Sequence, residues 1–185
     1  MNYLIYIYIF LGVVIFWFIV AYNTMVRLRY RAKEALSDID VQLKRRFDLI
    51  PNLVEAVRGY IKHERNVLES VTMARSQVAG AGGNPLERAN AENALSMTLK
   101  TLFAVSENYP DLKANANFLE LQRELSDTEN KIQASRRFYN TTVRDLNIKV
   151  ETFPTNMVAS ALGFHKEPFF EVEASEEKEP VKVSF

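Results

Sequence analysis

An uninterrupted apolar run near the start of the chain limits what this protein can fold into. Residues Tyr3 to Ala21 read YLIYIYIFLGVVIFWFIVA, and residues 1–26 carry no ionisable side chain except tyrosine phenols. As an α-helix the run is about 28 Å long, close to the ~30 Å hydrocarbon core of a bilayer. It lacks a basic leader, and Ile19-Val20-Ala21 is a poor cleavage site, so it predicts a retained transmembrane helix over residues 1–22 rather than a signal peptide.

Basic side chains are placed on one side of this run only. Arg27, Arg29, Arg31 and Lys33 follow it, and none precedes it. The positive-inside rule therefore predicts a single-pass protein of the cell membrane, with the N-terminus outside and the following domain in the cytoplasm. The same four side chains are predicted to lie at the membrane interface, where they contact lipid headgroups.

Heptad-like apolar spacing continues beyond the membrane run. The seam follows alternating steps of four and three, interrupted at Glu64 and Arg75, and its apolar members are Leu43, Phe47, Ile50, Val54, Val57, Ile61, Leu68, Val71 and Val78. Its phase is unchanged across Pro51, whereas a helix break normally resets the phase. The pattern predicts a long helix over about 23–79, either kinked at Pro51 or restarted there almost collinearly. This helix is expected to continue directly from the transmembrane segment.

Turn signals divide the rest of the chain. GAGGNP at 80–85 and Asn108-Tyr109-Pro110-Asp111 are two connections, and Phe153-Pro154 is a helix end. The helices between them are predicted at about 85–106, 114–151 and 155–162. Together they predict an all-α fold, in which the transmembrane helix continues into a long-helix antiparallel, four-helix-like bundle over residues 23–163.

The last stretch, residues 164–185, differs from the bundle. Residues 173–179 are rich in glutamate, and Val181, Val183 and Phe185 then alternate at the period of a strand. Two interpretations fit this pattern: a partly disordered tail, or an extended segment that docks on a neighbouring surface. In the second, the three alternating residues are candidate partner contacts.

Little in the sequence indicates catalysis. The chain has no cysteine, neither His63 nor His165 belongs to an H-E-x-x-H motif, and GAGGNP lacks the lysine of a phosphate loop. No enzyme activity, metal site or cofactor is therefore expected. Lys and Arg total 23 and Asp and Glu also total 23, so no nucleic-acid partner is expected. Lys44, Arg45 and Arg46 form instead a candidate surface for a protein partner.

One segment resembles a known family. Residues 22–75 include VQLKRR at 41–46, DLIPNLV at 48–54, Gly59-Tyr60 and Ala74-Arg75, and this segment is similar to the core of the bacterial LemA family. The resemblance extends through Phe138-Tyr139-Asn140 to Phe185. It implies a single-pass membrane protein with a helical bundle, and it supplies no catalytic residues.

Two non-enzymatic functions remain open from the sequence. The first is a scaffold that self-associates at the cytoplasmic membrane, with the lipid bilayer and further copies of the chain as partners. The alternative is a monomeric, membrane-tethered adaptor for a signalling or proteolytic complex. Oligomeric state separates the two.

Overall fold

The protein is described here by a computed structural model that covers residues 2–61, 64–81 and 85–170. Across these residues the helices are α1 (Asn2–Arg58), α2 (Arg65–Gly80), α3 (Pro85–Ser106), α4 (Pro110–Lys113), α5 (Ala116–Glu151) and α6 (Thr155–Ala161). These ranges contain no strand, so the predicted all-α fold is confirmed. The chain divides into two compact units, the first built on residues 2–41 and 132–169 and the second on residues 42–131.

Helix α1 joins the apolar run to the first helix of the bundle. It continues without interruption to Arg58 and contains Pro51, so of the two predicted alternatives the start of a second helix at Pro51 is wrong. The large side chains between Tyr3 and Val20 are exposed, so nothing in the described protein covers them. Length, hydropathy and exposure together fit a single-pass membrane anchor.

The predicted helix over 23–79 is wrong in one respect, because it ends at Arg58 and a new helix begins at Arg65. The Val57 carbonyl accepts hydrogen bonds from the backbone N–H groups of Tyr60 (3.0 Å) and Ile61 (3.1 Å). Gly59 weakens the helix at this point by about 1 kcal/mol relative to alanine. Ile61 then turns into the core, where it is fully buried.

The second unit is a helical bundle around a hydrophobic core to which α1, α2, α3, α4 and α5 contribute. Its buried members are Ile50, Leu53, Val57, Ile61, Val71, Ala74, Leu95, Leu99, Leu102, Leu112, Phe118 and Leu125. Arg75 of α2 contacts Phe47, while Asn115 before α5 contacts Tyr60 after α1, so α2 and α5 run antiparallel to α1. Asn115 also caps α5, because its side-chain oxygen accepts from the Phe118 N–H at 3.0 Å.

The first unit packs α1 against α5 and α6. Its core consists of Ala21, Met25, Leu146, Val158, Ala159 and Phe164. Further along α1, Ala32 and Ala35 are buried. Their small side chains allow a close approach between helices.

Candidate functional site

The four predicted interface residues all reach the surface. Arg27, Arg29, Arg31 and Lys33 are exposed along α1, directly after the apolar run. Between them Ala32 is buried, so the basic side chains occupy the outward positions of the helix. Cationic side chains in this position are suited to lipid headgroups.

The basic triplet is divided by the fold. Lys44 and Arg45 are exposed, and each forms a surface ion pair. Lys44 pairs with Asp48 at 3.3 Å, and Arg45 pairs with Glu124 at 3.9 Å. Arg46 is 1% exposed and cannot belong to a partner surface, which corrects the prediction made for it. The reason is its position, since Leu43, Arg46, Ile50, Leu53 and Val57 form the buried face of α1.

Arg46 is the centre of a buried ionic network in the second unit. Its guanidinium pairs with the carboxylates of Glu92 on α3 and Glu129 on α5. It also donates to the Ser96 hydroxyl at 2.7 Å and to the Glu92 carbonyl at 3.3 Å. Glu92 is 2% exposed. The network joins α1, α3 and α5, and removal of one partner would leave a buried charge uncompensated.

Pro51 has a specific consequence in α1. Proline has no N–H, so the carbonyl of Phe47, four residues earlier, has no donor within the helix. Arg75 of α2 supplies one, because its Nε donates to the Phe47 carbonyl at 3.3 Å. The Arg75 guanidinium also lies 3.9 Å from the centre of the Phe47 ring. The proline therefore frees a backbone acceptor, by which Arg75 joins α2 to α1.

This arrangement predicts coupling between the two residues. Arg75→Met should lower the free energy of unfolding by about 1–2 kcal/mol, through loss of a charged hydrogen bond and a cation–π contact. In a Pro51→Ala background the alanine N–H competes for the Phe47 carbonyl, so Arg75→Met should cost about 0.5–1 kcal/mol less. Urea unfolding of the four proteins measures this double-mutant cycle. Equal costs in both backgrounds would show that Pro51 and Arg75 act independently.

A groove opens between α1 and α2 on the surface of the second unit. It has a volume of about 680 Å³ and is lined by Val54, Arg58, Ile61, Arg65, Leu68, Glu69, Thr72 and Met73. Val54, Ile61, Leu68 and Met73 make it apolar, and Met73 is 64% exposed. Arg58 and Arg65 add positive charge to the groove and Glu69 adds negative charge. Arg58 forms a long ion pair with Glu55 at 3.8 Å, and Arg65 forms one with Glu69 at 4.0 Å.

The beginning of the predicted tail is fixed to the first unit. The Asn147 side chain donates to the Glu167 carbonyl at 2.9 Å and accepts from the Glu167 N–H at 2.9 Å. The Tyr139 hydroxyl donates to the Pro168 carbonyl at 3.0 Å. Burial, and then the nearby charge of Glu167, raise the pKa of the Tyr139 phenol above its usual value. Val181, Val183 and Phe185 lie outside the described residues.

Within the described ranges, no three His, Cys, Asp or Glu side chains are grouped to hold a metal ion. His63 lies outside those ranges, and His165 is exposed. The features that the sequence did not predict are the buried Arg46 network, the contact between Arg75 and Phe47, and the pairing of Asn147 with Glu167. The spacing of Arg46 from Leu43 and Ile50 was a signal for the first, because it places Arg46 among buried apolar positions.

Comparisons with known proteins identify a family and several relatives. Residues 35–185 match the LemA family. The chain is 27% identical over 161 residues to Protein LemA of Metamycoplasma hominis, which covers 87% of this chain and 74% of that protein. It is 23% identical to Magnetosome protein MamQ 2 of Paramagnetospirillum magneticum, over 81% of this chain and 64% of the relative. It is 22% identical to Magnetosome protein MamQ of Magnetospirillum gryphiswaldense, over 80% of this chain and 64% of that relative. This chain therefore spans just under two thirds of the MamQ proteins.

Proposed function

We propose that this chain, which belongs to the LemA family, is a non-enzymatic scaffold that self-associates at the cytoplasmic membrane. Helix α1 anchors it, with the N-terminus outside and the bundle in the cytoplasm. The asymmetry of Arg27, Arg29, Arg31 and Lys33 about the apolar run supports this orientation. The bundle is the part of the molecule that binds other copies.

The groove between α1 and α2 is the observation that carries this proposal. In the second unit the apolar face of α1 is not available for self-association, because Ile50, Leu53 and Val57 are already buried within one chain. The groove keeps apolar side chains at the surface, and an exposed concave apolar surface indicates a binding site. Assembly through the groove therefore leaves the fold of each bundle unchanged.

The proposed occupant of the groove is the C-terminal segment of a second copy. Val181, Val183 and Phe185 alternate, so an extended segment directs them to one side, towards Val54, Leu68 and Met73.

Charge also favours this segment. Residues 173–179 hold four glutamates and one lysine, and so complement Arg58 and Arg65 in the groove. The family match continues to residue 185, which makes the segment part of the family domain.

Self-association predicts a defined mass that depends on the groove. The full-length protein in detergent should be larger than one chain by light scattering, and Met73→Glu should reduce it towards the monomer, because the substitution places a charge in an apolar contact. Met97→Glu is the matched control, since Met97 is 62% exposed on α3 and does not line the groove. Deletion of residues 180–185 should act like Met73→Glu. A monomer in every case would contradict the scaffold.

The adaptor is the second candidate, and the same groove supports it. In an adaptor the groove receives an extended apolar and acidic segment of another protein in place of a second copy. Two results together would identify an adaptor. The protein would be monomeric by light scattering, and it would lose a bound partner on Met73→Glu but not on Met97→Glu.

A further inference from the structure

The segment around α6 lacks charge in a protein that is otherwise rich in it. Between Glu151 and His165 the sequence reads TFPTNMVASALGF and contains no ionisable side chain, although charged residues make up 25% of the chain. The N-terminal run is the longest uncharged stretch, and residues 76–86 are a shorter one. We refer to residues 152–164 as the α6 segment.

The α6 segment packs where the apolar run ends. Val158 and Ala159 are buried against Ala21 and Met25 of α1. The Phe164 ring meets the Tyr22 ring edge-to-face, with their centres 6.0 Å apart. Ala21 is the last residue of the run, so a bilayer that surrounds the run has its interfacial layer at the level of the α6 segment.

The outward side of the α6 segment is apolar. Phe153 is 79% exposed, Met157 65% and Leu162 44%. Scattered apolar side chains are normal on a protein surface, but three large ones within ten residues, free of any charge, are typical of a surface that meets another phase or molecule. Because Val158 and Ala159 face α1 and α5, the opposite side of α6 is left to Met157, Ser160 and Ala161.

The segment is held in place by polar contacts at its start. The Thr155 hydroxyl contacts the carbonyls of Lys149 at 2.7 Å and Thr152 at 2.9 Å, and the Thr152 hydroxyl donates to the Ile148 carbonyl at 2.7 Å. Lys149, His165 and Lys166 are exposed on either side of it, and Lys166 pairs with Glu151. The flanking charges are of both signs, since Glu151 and Glu167 accompany the cations, so the apolar side chains carry the argument for an interfacial membrane contact.

We propose that the α6 segment is a second membrane contact, in which Phe153, Met157 and Leu162 enter the interfacial layer of the bilayer beside α1. This inference rests on the membrane anchor of the proposed function. A helix that crosses the bilayer once can rotate about its own axis. A second contact, packed on α1 through Val158 and Ala159, fixes the rotation and tilt of the first unit against the membrane. The occupant is the phospholipid surface, including its acyl–headgroup boundary.

Site-specific labelling tests this inference on the full chain. The protein has no cysteine, so Met157→Cys, Met97→Cys and Val14→Cys each provide one labelling site for a nitroxide. The labelled proteins are reconstituted into phosphatidylcholine–phosphatidylglycerol vesicles. Collision of the nitroxide with oxygen, which concentrates in lipid, is compared with collision with a water-soluble nickel chelate. We expect the nitroxides at positions 157 and 14 to collide more often with oxygen (oxygen preference), and the nitroxide at position 97 to collide more often with the nickel chelate (nickel preference). The Met97 side chain lies in the second unit and is exposed to a similar extent as that of Met157.

Each other outcome has a distinct meaning. Oxygen preference at 14 with nickel preference at 157 overturns the second contact and leaves the anchor intact. Nickel preference at 14 overturns the anchor, and with it the proposed function. Protection of position 157 from both reagents assigns the patch to a protein contact, and also overturns the inference.

Discussion

Arg46→Ala is expected to lower the free energy of unfolding by about 3–5 kcal/mol, since it leaves the buried Glu92 carboxylate without a cation. The ion pairs of Arg46 with Glu92 and Glu129 and its hydrogen bond to Ser96 are lost together. A change of this size is a large part of the stability of an ordinary domain. Urea unfolding in detergent micelles, followed by the helical circular dichroism signal, measures it.

Two controls isolate the buried charge. Arg45→Ala removes a neighbouring arginine that is exposed and whose ion pair spans 3.9 Å, so it should cost less than about 1 kcal/mol. Combining Arg46→Met with Glu92→Leu should restore part of the lost stability, because the buried Glu92 carboxylate is then removed together with its cation. An Arg46→Ala protein as stable as Arg45→Ala would contradict the buried network.

Asn147→Ala is expected to loosen the chain around Glu167 on α5, while the Tyr139 hydroxyl still donates to the Pro168 carbonyl. The substitution removes both the donor and the acceptor that pair with the backbone of Glu167, and should lower the free energy of unfolding by about 2 kcal/mol. The Glu167 amide should then exchange its hydrogen about tenfold faster or more, as local opening becomes easier. Hydrogen exchange read by mass spectrometry on the peptide that contains Glu167 measures the effect.

Asp145→Ala is the matched control on the same helix, because Asp145 contacts its exposed neighbour Arg144 and not the 165–170 segment. It should leave exchange of the Glu167 peptide unchanged. Equal exchange in wild type and Asn147→Ala would contradict the pairing of Asn147 with Glu167.

Much of the fold was predictable because it depends on periodic burial. The apolar run, the helices over 85–106, 114–151 and 155–162, and the passage of α1 through Pro51 follow from spacing and turn residues. The end of α1 at Arg58 was missed. Ile61 and Val71 lie on the same core as Val57, since α2 packs back against α1, so the seam kept its phase although the helix ended.

The polar contacts were less predictable for a physical reason. A basic triplet suggests a surface, but burial of Arg46 depends on Glu92 and Glu129, which come from other helices. The role of Pro51 likewise depends on Arg75, which reaches the Phe47 carbonyl only after α2 has packed. Spacing along the chain indicates which side of a helix a residue occupies, and it does not indicate which distant partner meets it there.

Disulfide trapping tests the central claim most directly, since the chain has no cysteine of its own. Full-length chains carrying only Met73→Cys are mixed in vesicles with chains carrying only Val183→Cys, and are then mildly oxidised. Met97→Cys replaces Met73→Cys as the control. Capture of the C-terminal segment by the groove of another copy predicts a mixed disulfide dimer with Met73→Cys and none with Met97→Cys. Equal yields of mixed dimer with Met73→Cys and Met97→Cys, or no mixed dimer with either, would contradict self-association through the groove.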